Sequence, residues 1–380
     1  MRDAAAIPVD VRLARTEAER LEVFRFRYRV LVDELDMEPA GADDDLRIVR
    51  DGLDTDATHL TLRQRGAIVA TIRLSGGPSA PLPREVDSIY RLQQFDLFGR
   101  RALTLTDRLV IAREHNHAEA AVLLGAAYKI ARRNASRFDF THCAPGLVRL
   151  YEQLGYRRYT ECFVDSETGY RVPMVLLTED LGYLRGMQSP LAGIAAGYRN
   201  PPETALWFAR SFPEFAGLNA EPIRDEERFW QYLCERLRQS PTVGIPLFAG
   251  IEFRDVRRFI SIGTILRVRK GETILRAGTH SEEMYVVLSG AVEATVGGEP
   301  VAAFGRGDAF GEIAFLSAEP RSADVLATDD SELLVLSQDY LKRVMAAYPE
   351  IAAKVLFNLS LILCQRLRDA TQSWLAARAA

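Results

Sequence analysis

The stretch Phe310–Val325, FGEIAFLSAEPRSADV, decides how this chain is read. Its residue order suits a site for a cyclic phosphate diester. A phosphate needs N–H donors, positive charge and little steric bulk. Gly311 has no Cβ, so the backbone there can come close to a ligand. The apolar run Ile313-Ala314-Phe315-Leu316 is expected to start one helical turn whose free N–H groups face an anion. Arg321 brings a permanently charged fork that matches two phosphate oxygens. Ser322 adds a hydroxyl donor. Glu312 is repelled by a phosphate, so it is expected to accept from a sugar hydroxyl instead. Pro320 fixes the approach to Arg321.

The flanking residues extend the pattern. Gly271-Glu272-Thr273-Ile274 reads as a turn into a strand. Met284-Tyr285-Val286-Val287-Leu288-Ser289-Gly290 reads as a central strand and tight turn, and Phe304-Gly305-Arg306-Gly307-Asp308 leads into the decisive stretch. Short alternating strands between glycine turns fit a β-roll (jelly-roll). From Ser337 to Ala370 the apolar residues fall at helical spacing. From about Pro246 to Arg368 the chain resembles cyclic-nucleotide-binding domains, such as those of the catabolite activator protein and protein kinase A regulatory subunits. The resemblance implies that Glu312 takes the ribose 2′-hydroxyl and that Arg321, Ser322 and Ala323 take the phosphate. Gly311, Ile313 and Ala314 complete the cassette. Ser322 after the arginine leans towards cAMP and leaves cGMP open. A β-roll that kept its fold and lost its ligand is the alternative.

Composition bounds the remainder. The 380 residues predict two domains. A 48% hydrophobic and 26% charged chain is ordinary for a globular protein. The net charge of −4 gives no sign of a nucleic-acid binder. The basic side chains are 44 Arg against 4 Lys, a skew that fits a GC-rich genome better than a binding patch. Cys143, Cys162, Cys234 and Cys364 show no metal or disulfide spacing. No apolar run reaches transmembrane length, and the N-terminus lacks the apolar core of a signal peptide, so a cytoplasmic protein is expected. The chain is expected to end about ten residues beyond the last helix of the β-roll domain, which leaves no helix-turn-helix and argues against a transcription factor.

Three parts are expected: a domain over residues 1–192, a helical connector over 193–245 and the β-roll domain over 246–372. The connector is punctuated by Ser189-Pro190, Asn200-Pro201-Pro202, Phe212-Pro213 and Ser240-Pro241. Its aromatic residues require burial, and Glu226–Leu237 is amphipathic. In the N-terminal part a helix is expected over 18–35, with Leu21, Phe24, Tyr28, Leu31 and Leu35 on one face. Strands follow at 58–62 and 67–74, joined by a hairpin turn at 64–66. A strand at 103–111, a helix at 118–133, a strand at 138–143, a helix at 147–154 and a further strand complete a mixed α/β sheet with flanking helices.

That order, with Tyr151-Glu152-Gln153-Leu154-Gly155-Tyr156, resembles the GNAT superfamily of acyltransferases. Within it the chain is similar to the acyl-homoserine-lactone and N-acyl amino acid synthases over about residues 10–192. The matching motifs are Arg27-Tyr28-Arg29-Val30-Leu31, Asp51-Gly52-Leu53-Asp54, Ile72-Arg73-Leu74 and Asp107-Arg108-Leu109. The resemblance implies acyl transfer from a thioester to an amine. Leu31, Asp107 and Leu105 depart from the usual Phe, Ser and Glu, so a homoserine lactone product is not expected. The glycine-rich pyrophosphate loop is absent and Arg113–Ala118 stands in its place, so the donor is either acyl-CoA or acyl carrier protein.

Such a reaction needs a neutral amine at the thioester carbonyl, an oxyanion donor and a proton acceptor. In GNAT folds a β-bulge at the split of the sheet supplies the donor. Asp51 and Asp54 are candidates to bind a cationic amine. Arg73 and Arg108 are candidates to bind a carboxylate or to lock those aspartates, with Arg27 beside them. The alternative is a buried Arg–Asp network that orders the first helix. Tyr151 matches the tyrosine that protonates the leaving thiolate. His115 and His117 are candidates for proton acceptor and equally for plain exposed residues, and no metal site is expected. Cys143 reads as packed rather than nucleophilic. The whole reads as a cyclic-nucleotide-regulated acyltransferase, with a homodimer through its terminal helices as the candidate assembly. The rival is an inactive acyltransferase-fold platform whose partner binding a nucleotide switches.

Overall fold

The computed structural model describes residues 10–113, 115, 117–165, 169–213, 226–260, 263–317 and 319–379. The chain divides into two compact units. One comprises Met1–Cys143, Leu150–Phe163 and Arg171–Pro222; the other comprises Ala144–Arg149, Val164–Tyr170 and Ile223–Ala380.

In the first unit, Thr16 and Glu19 cap each other's backbone N–H groups and start α1 (Glu17–Tyr28). The expected helix to Leu35 is corrected. The α-helix ends at Tyr28 and passes into a π-helical turn, Arg29–Glu34. The wider turn buries Val30 against Phe26, with Leu31 and Leu35 packed beside them.

The sheet is built from β1 (Asp10–Leu13), β2 (Thr58–Gln64), β3 (Ala67–Gly76), β4 (Leu103–Ile111), β5 (Phe138–Cys143), β6 (Arg157–Arg158), β7 (Phe163–Asp165) and β8 (Gly169–Leu177). Its order is β1-β2-β3-β4-β5-β8-β6, with β7 paired to β8. Arg65 and Gly66, at φ of 50° and 86°, make the expected hairpin turn between β2 and β3. The helices α2 (His117–Arg133) and α3 (Val148–Leu154) flank the strands. On one face Phe95, Phe138, Phe140, Tyr159 and Phe212 pack into an aromatic core.

One seam differs from the others. β4 and β5 run parallel and pair only from Leu103↔Phe138 to Leu105↔Phe140. Beyond that point β4 follows β3 to Ile111, and β5 follows β8 to Cys143. The sheet therefore opens between β4 and β5.

Among the described residues of the second unit, strands between Thr264 and Ser337 form two four-stranded sheets. They are β9 (Thr264–Val268), β10 (Thr273–Leu275), β11 (Glu283–Ser289), β12 (Val292–Val296), β13 (Glu299–Phe304), β14 (Ala309–Phe310), β15 (Asp324–Ala327) and β16 (Ser331–Ser337). The orders are β9-β16-β11-β14 and β10-β15-β12-β13, a β-roll. Met284, Val286 and Leu288 of β11 and Leu334 and Leu336 of β16 form its core with apolar residues of the helices. Those helices are α4 (Glu226–Leu237), α5 (Phe253–Ile260), α6 (Glu312–Ser317), α7 (Gln338–Ala347) and α8 (Pro349–Ala379). The last helix is longer than expected and continues to Ala379, because nothing after Ala370 breaks it. Among the described residues no helix is long and apolar enough to cross a membrane.

Candidate functional sites

Gly311 and Arg321 line a cavity of about 200 Å3 in the β-roll. Gly311 has φ +77°, and a Cβ there would stand 3.0 Å from Arg321 Nη1. Only glycine meets both demands without strain. Arg321 is buried and tightly held. Its Nε donates to Ser281 Oγ at 2.8 Å, Nη1 to Gly311 O at 2.7 Å and Nη2 to Glu283 O at 2.6 Å. Those bonds fix its guanidinium in the cavity wall. Glu312, Ile313, Ala314, Ser322 and Ala323 line the same cavity, so all seven sequence-predicted cassette residues converge.

The rest of the wall is apolar, including Leu275, Phe304 and Val325, with one further cation. That cation is Arg366 on α8, which the sequence did not single out. Its Nη1 pairs with Glu312 Oε1 at 2.8 Å, Nη2 donates to Ala309 O, and its Cζ lies 4.9 Å over the Phe304 ring. A ligand with an anionic end at Arg321, a hydroxyl at Glu312 and a flat apolar body matches this wall.

In the first unit five sequence-predicted residues form one network. Arg73 on β3 is its centre. It holds Asp107 through Nε and Nη2, each at 2.7 Å, and its Nη1 meets Asp51 at 2.5 Å and Asp54 at 3.0 Å. Arg27 on α1 pairs with Asp54 at 2.8 Å, and Arg108 pairs with Asp51 at 3.0 Å. Asp51 also caps the short turn Gly52–Asp54 by accepting from Leu53 N. Three guanidinium groups thus face three carboxylates.

The network grades from inside to outside. The side chains of Arg27 and Asp54 are 0% and 3% exposed, whereas those of Arg108 and Asp51 are 23% and 27% exposed. Burial pushes the Asp51 carboxyl up, but Arg73 and Arg108 overcome it and bring its pKa down to about 2. Burial also works to raise Asp54, and Arg27 with Arg73 bring it below its ordinary value. His59, missed in the sequence, closes the inner end. Its Nδ1 lies 3.3 Å from Arg27 Nη2, and burial with the Arg27 charge lowers its pKa and keeps it neutral. Nothing but its place in a β-strand marked it.

Arg108 has φ +48°, and the register of β3 against β4 shifts beside it. This is a β-bulge in β4, in its pairing with β3, where three β4 residues span two of β3. Tyr151 lies outside the Arg–Asp network. It is buried on α3, its ring meets Tyr156 edge-on at 5.4 Å, and burial raises its pKa. Cys143 is buried with Sγ 3.7 Å from Met174 Sδ, and burial raises its thiol pKa. Of the loop 113–117, Glu114 and Asn116 lie outside the described residues, as does the side chain of His117. His115 Nδ1 lies 3.2 Å from Glu119 Oε1. No cluster of metal-ligating side chains occurs among the described residues.

Comparison with known proteins agrees with this division. Residues 22–180 match the family described as N-acyl amino acid synthase FeeM. Residues 265–348 match the cyclic nucleotide-binding domain. The chain is 32% identical over 132 residues to the cyclic AMP receptor protein of Thermus thermophilus, covering 33% of this chain and 59% of that one. It is 28% identical over 116 residues to the cAMP-dependent protein kinase regulatory subunit of Emericella nidulans, covering 30% of this chain and 28% of that one. A solved cyclic nucleotide-binding domain from Methylobacillus flagellatus is 26% identical, with a TM-score of 0.35 over 39% of this chain and 84% of that one. The chain therefore spans less than two thirds of the length of these two relatives.

Proposed function

We propose that this chain, which carries an N-acyl amino acid synthase domain followed by a cyclic nucleotide-binding domain, is a cyclic-nucleotide-regulated N-acyltransferase. It moves an acyl group from a thioester, acyl-CoA or acyl carrier protein, to an amine. cAMP or cGMP in the β-roll cavity is the allosteric signal. The observation that carries the transferase reading is the seam between β4 and β5, open beyond Leu105, with the bulge at Arg108 in β4 past that point. We read this sheet as GNAT-like, with the bulge offering a backbone donor to the thioester oxygen.

The exposure gradient supports a division of labour. Arg27, Asp54 and Arg73 hold α1, the 52–54 turn and the sheet together. The half-exposed Asp51 and Arg108 carry charges of both signs, which suits an acceptor with an amine and a carboxylate, an amino acid. Tyr151 stands as donor to the leaving thiolate. In the second unit Arg321, Ser322 and Ala323 hold the cyclic phosphate and Glu312 the ribose hydroxyl. Exposed Phe357, Leu361 and Leu375 along α8 support pairing with a second copy. Cyclic nucleotides and acyl thioesters are both cytoplasmic metabolites, which fits a cytoplasmic protein.

The test incubates the full chain with palmitoyl-CoA or palmitoyl-acyl carrier protein and a mixture of the proteinogenic amino acids, with and without cAMP or cGMP. Mass spectrometry should detect an N-acyl amino acid whose yield changes with one nucleotide. Thioester binding without amide under every condition would leave the platform reading in its place.

A further inference from the structure

Asp139 sits in the middle of β5, 1% exposed, with no cation paired to it among the described residues. Its partners are hydroxyls. Thr104 Oγ1 donates to Oδ1 at 2.8 Å. Thr106 Oγ1 lies 2.9 Å from Oδ1 and 2.8 Å from Oδ2. The Tyr156 hydroxyl donates to Oδ2 at 2.6 Å. A fully buried carboxylate ordinarily pairs with a cation or a metal, because desolvation of a lone charge is costly.

The nearby charges are otherwise engaged. Asp107, the acidic side chain of β4, is bound by Arg73. The Tyr128 hydroxyl of α2 donates to Thr178 O, and Arg132 of α2 is bonded to Thr178 and Arg199. β8 places Leu176 opposite Asp139. Tyr156 before β6 and Tyr151 on α3 are the phenols that interact with it. Burial raises the Asp139 pKa to about 6 against the hydrogen bonds from Tyr156, Thr106 and Thr104, and the charge of Asp107 adds to the rise. The group therefore exchanges a proton close to neutrality.

Its position gives that proton a route. β4 and β5 stop pairing at Leu105 and Phe140, so Thr106 is the first β4 residue in the open seam. Thr106 is 1% exposed, and along β4 it is the member of the Asp139 shell nearest that opening.

We propose that Asp139 holds the proton released during acyl transfer, receiving it through the Thr106 hydroxyl. This rests on the acyltransferase reading above. The amine nitrogen attacks the thioester carbonyl carbon, so the C–N bond forms, the C–S bond breaks and the thiolate leaves with the electron pair. The nitrogen proton passes to Thr106 Oγ1 as the Thr106 proton passes to Asp139. The thiolate takes its proton from the Tyr151 hydroxyl, and the proton held by Asp139 replaces it. The products are an amide and a thiol, and Asp139 ends ionised. Thr106 meets the amine, and Asp139 acts through it as a positioning residue.

The experiment is a pH profile of kcat for the full chain with the donor and amino acid pair found active, comparing wild type, Asp139→Asn, Thr106→Val and Thr106→Ser. The wild type should show an acid limb centred near pH 6. Asp139→Asn should lose that limb and about 10²-fold or more in kcat. Thr106→Val should lose a similar factor, and Thr106→Ser should recover most of it. Calorimetric scans check that each variant retains a folded first unit. If Asp139→Asn does not fold, the Thr106 pair decides alone. A persistent acid limb in Asp139→Asn, or Thr106→Val as fast as wild type, overturns the proposal and leaves the acyltransferase reading standing. A wild type that makes no amide with either thioester removes that reading and the proposal with it.

Discussion

At the scale of single residues, the three arginines of the Arg–Asp network are not equivalent. Arg73 is buried and serves three carboxylates, so Arg73→Ala leaves Asp51, Asp54 and Asp107 short of a cation in low dielectric. The expected cost is about 3–5 kcal/mol. Arg108→Ala removes a half-exposed partner and costs about 1 kcal/mol or less. Calorimetric scans should show the first unit melting far lower in Arg73→Ala and near wild type in Arg108→Ala, with amide formation lost in both. A wild-type melt for Arg73→Ala would mean that the network does not order this unit. Acid and base act oppositely on its carboxyls. Asp51 has a lowered pKa, so its stabilisation is present above its ordinary value near 4 and is lost as pH falls through about 2. Asp139 has a raised pKa, so its contribution is present below about 4 and is lost as pH rises through about 6. The stability of Asp139→Asn relative to wild type should therefore grow between pH 4 and pH 7, by roughly 2–3 kcal/mol. Urea unfolding at the two pH values measures this, and the Asp51 contribution cancels in the difference. A difference independent of pH would mean that Asp139 does not titrate in this range.

At the scale of elements, what the sequence revealed depends on whether a site is contiguous. The nucleotide cassette lies within a single run from Gly311 to Ala323, so its spacing was readable before any fold was known. Arg366 belongs to the same cavity but comes from α8, and in sequence it looks like any exposed helical arginine. The Asp139 shell was hidden differently. β4 reads Leu103-Thr104-Leu105-Thr106 and β5 reads Phe138-Asp139-Phe140-Thr141, an alternation that normally marks one solvated face. Here both faces are covered, and Thr104, Thr106, Asp139 and Thr141 are all buried. The π-helical turn after Tyr28 left no sequence mark, since Leu31 and Leu35 keep a helical rhythm through it. The α8 contact makes its own prediction. Arg366 neutralises Glu312 and covers one end of the cavity, so Arg366→Ala should weaken nucleotide binding about tenfold, the size of one charge-assisted hydrogen bond. Calorimetric titration with cAMP reads this directly, and hydrogen exchange should show the last turns of α8 less protected. Unchanged or tighter binding would assign Arg366 to helix packing alone.

At the scale of the whole molecule, a sensor and a transferase in one chain are linked only if the nucleotide changes a property of the acyl site. If cAMP alters the affinity for the acyl thioester by some factor, the thioester must alter the affinity for cAMP by the same factor. Couplings of this kind commonly amount to 5–150-fold. The amine acceptor is omitted so that no turnover intervenes. Palmitoyl-CoA is titrated with and without saturating cAMP, and cAMP is titrated with and without saturating palmitoyl-CoA. The two ratios should agree. In Arg321→Ala, whose guanidinium anchors the cavity, both ratios should collapse to one. A one-sided shift would place a second cAMP site outside the β-roll. Equal affinities with a changed turnover would place the signal on the chemical step, where reciprocity of binding no longer applies. Equal affinities with an unchanged turnover would end the regulated-enzyme reading, however tightly the β-roll holds its ligand, because a ligand with no preference between two states moves neither.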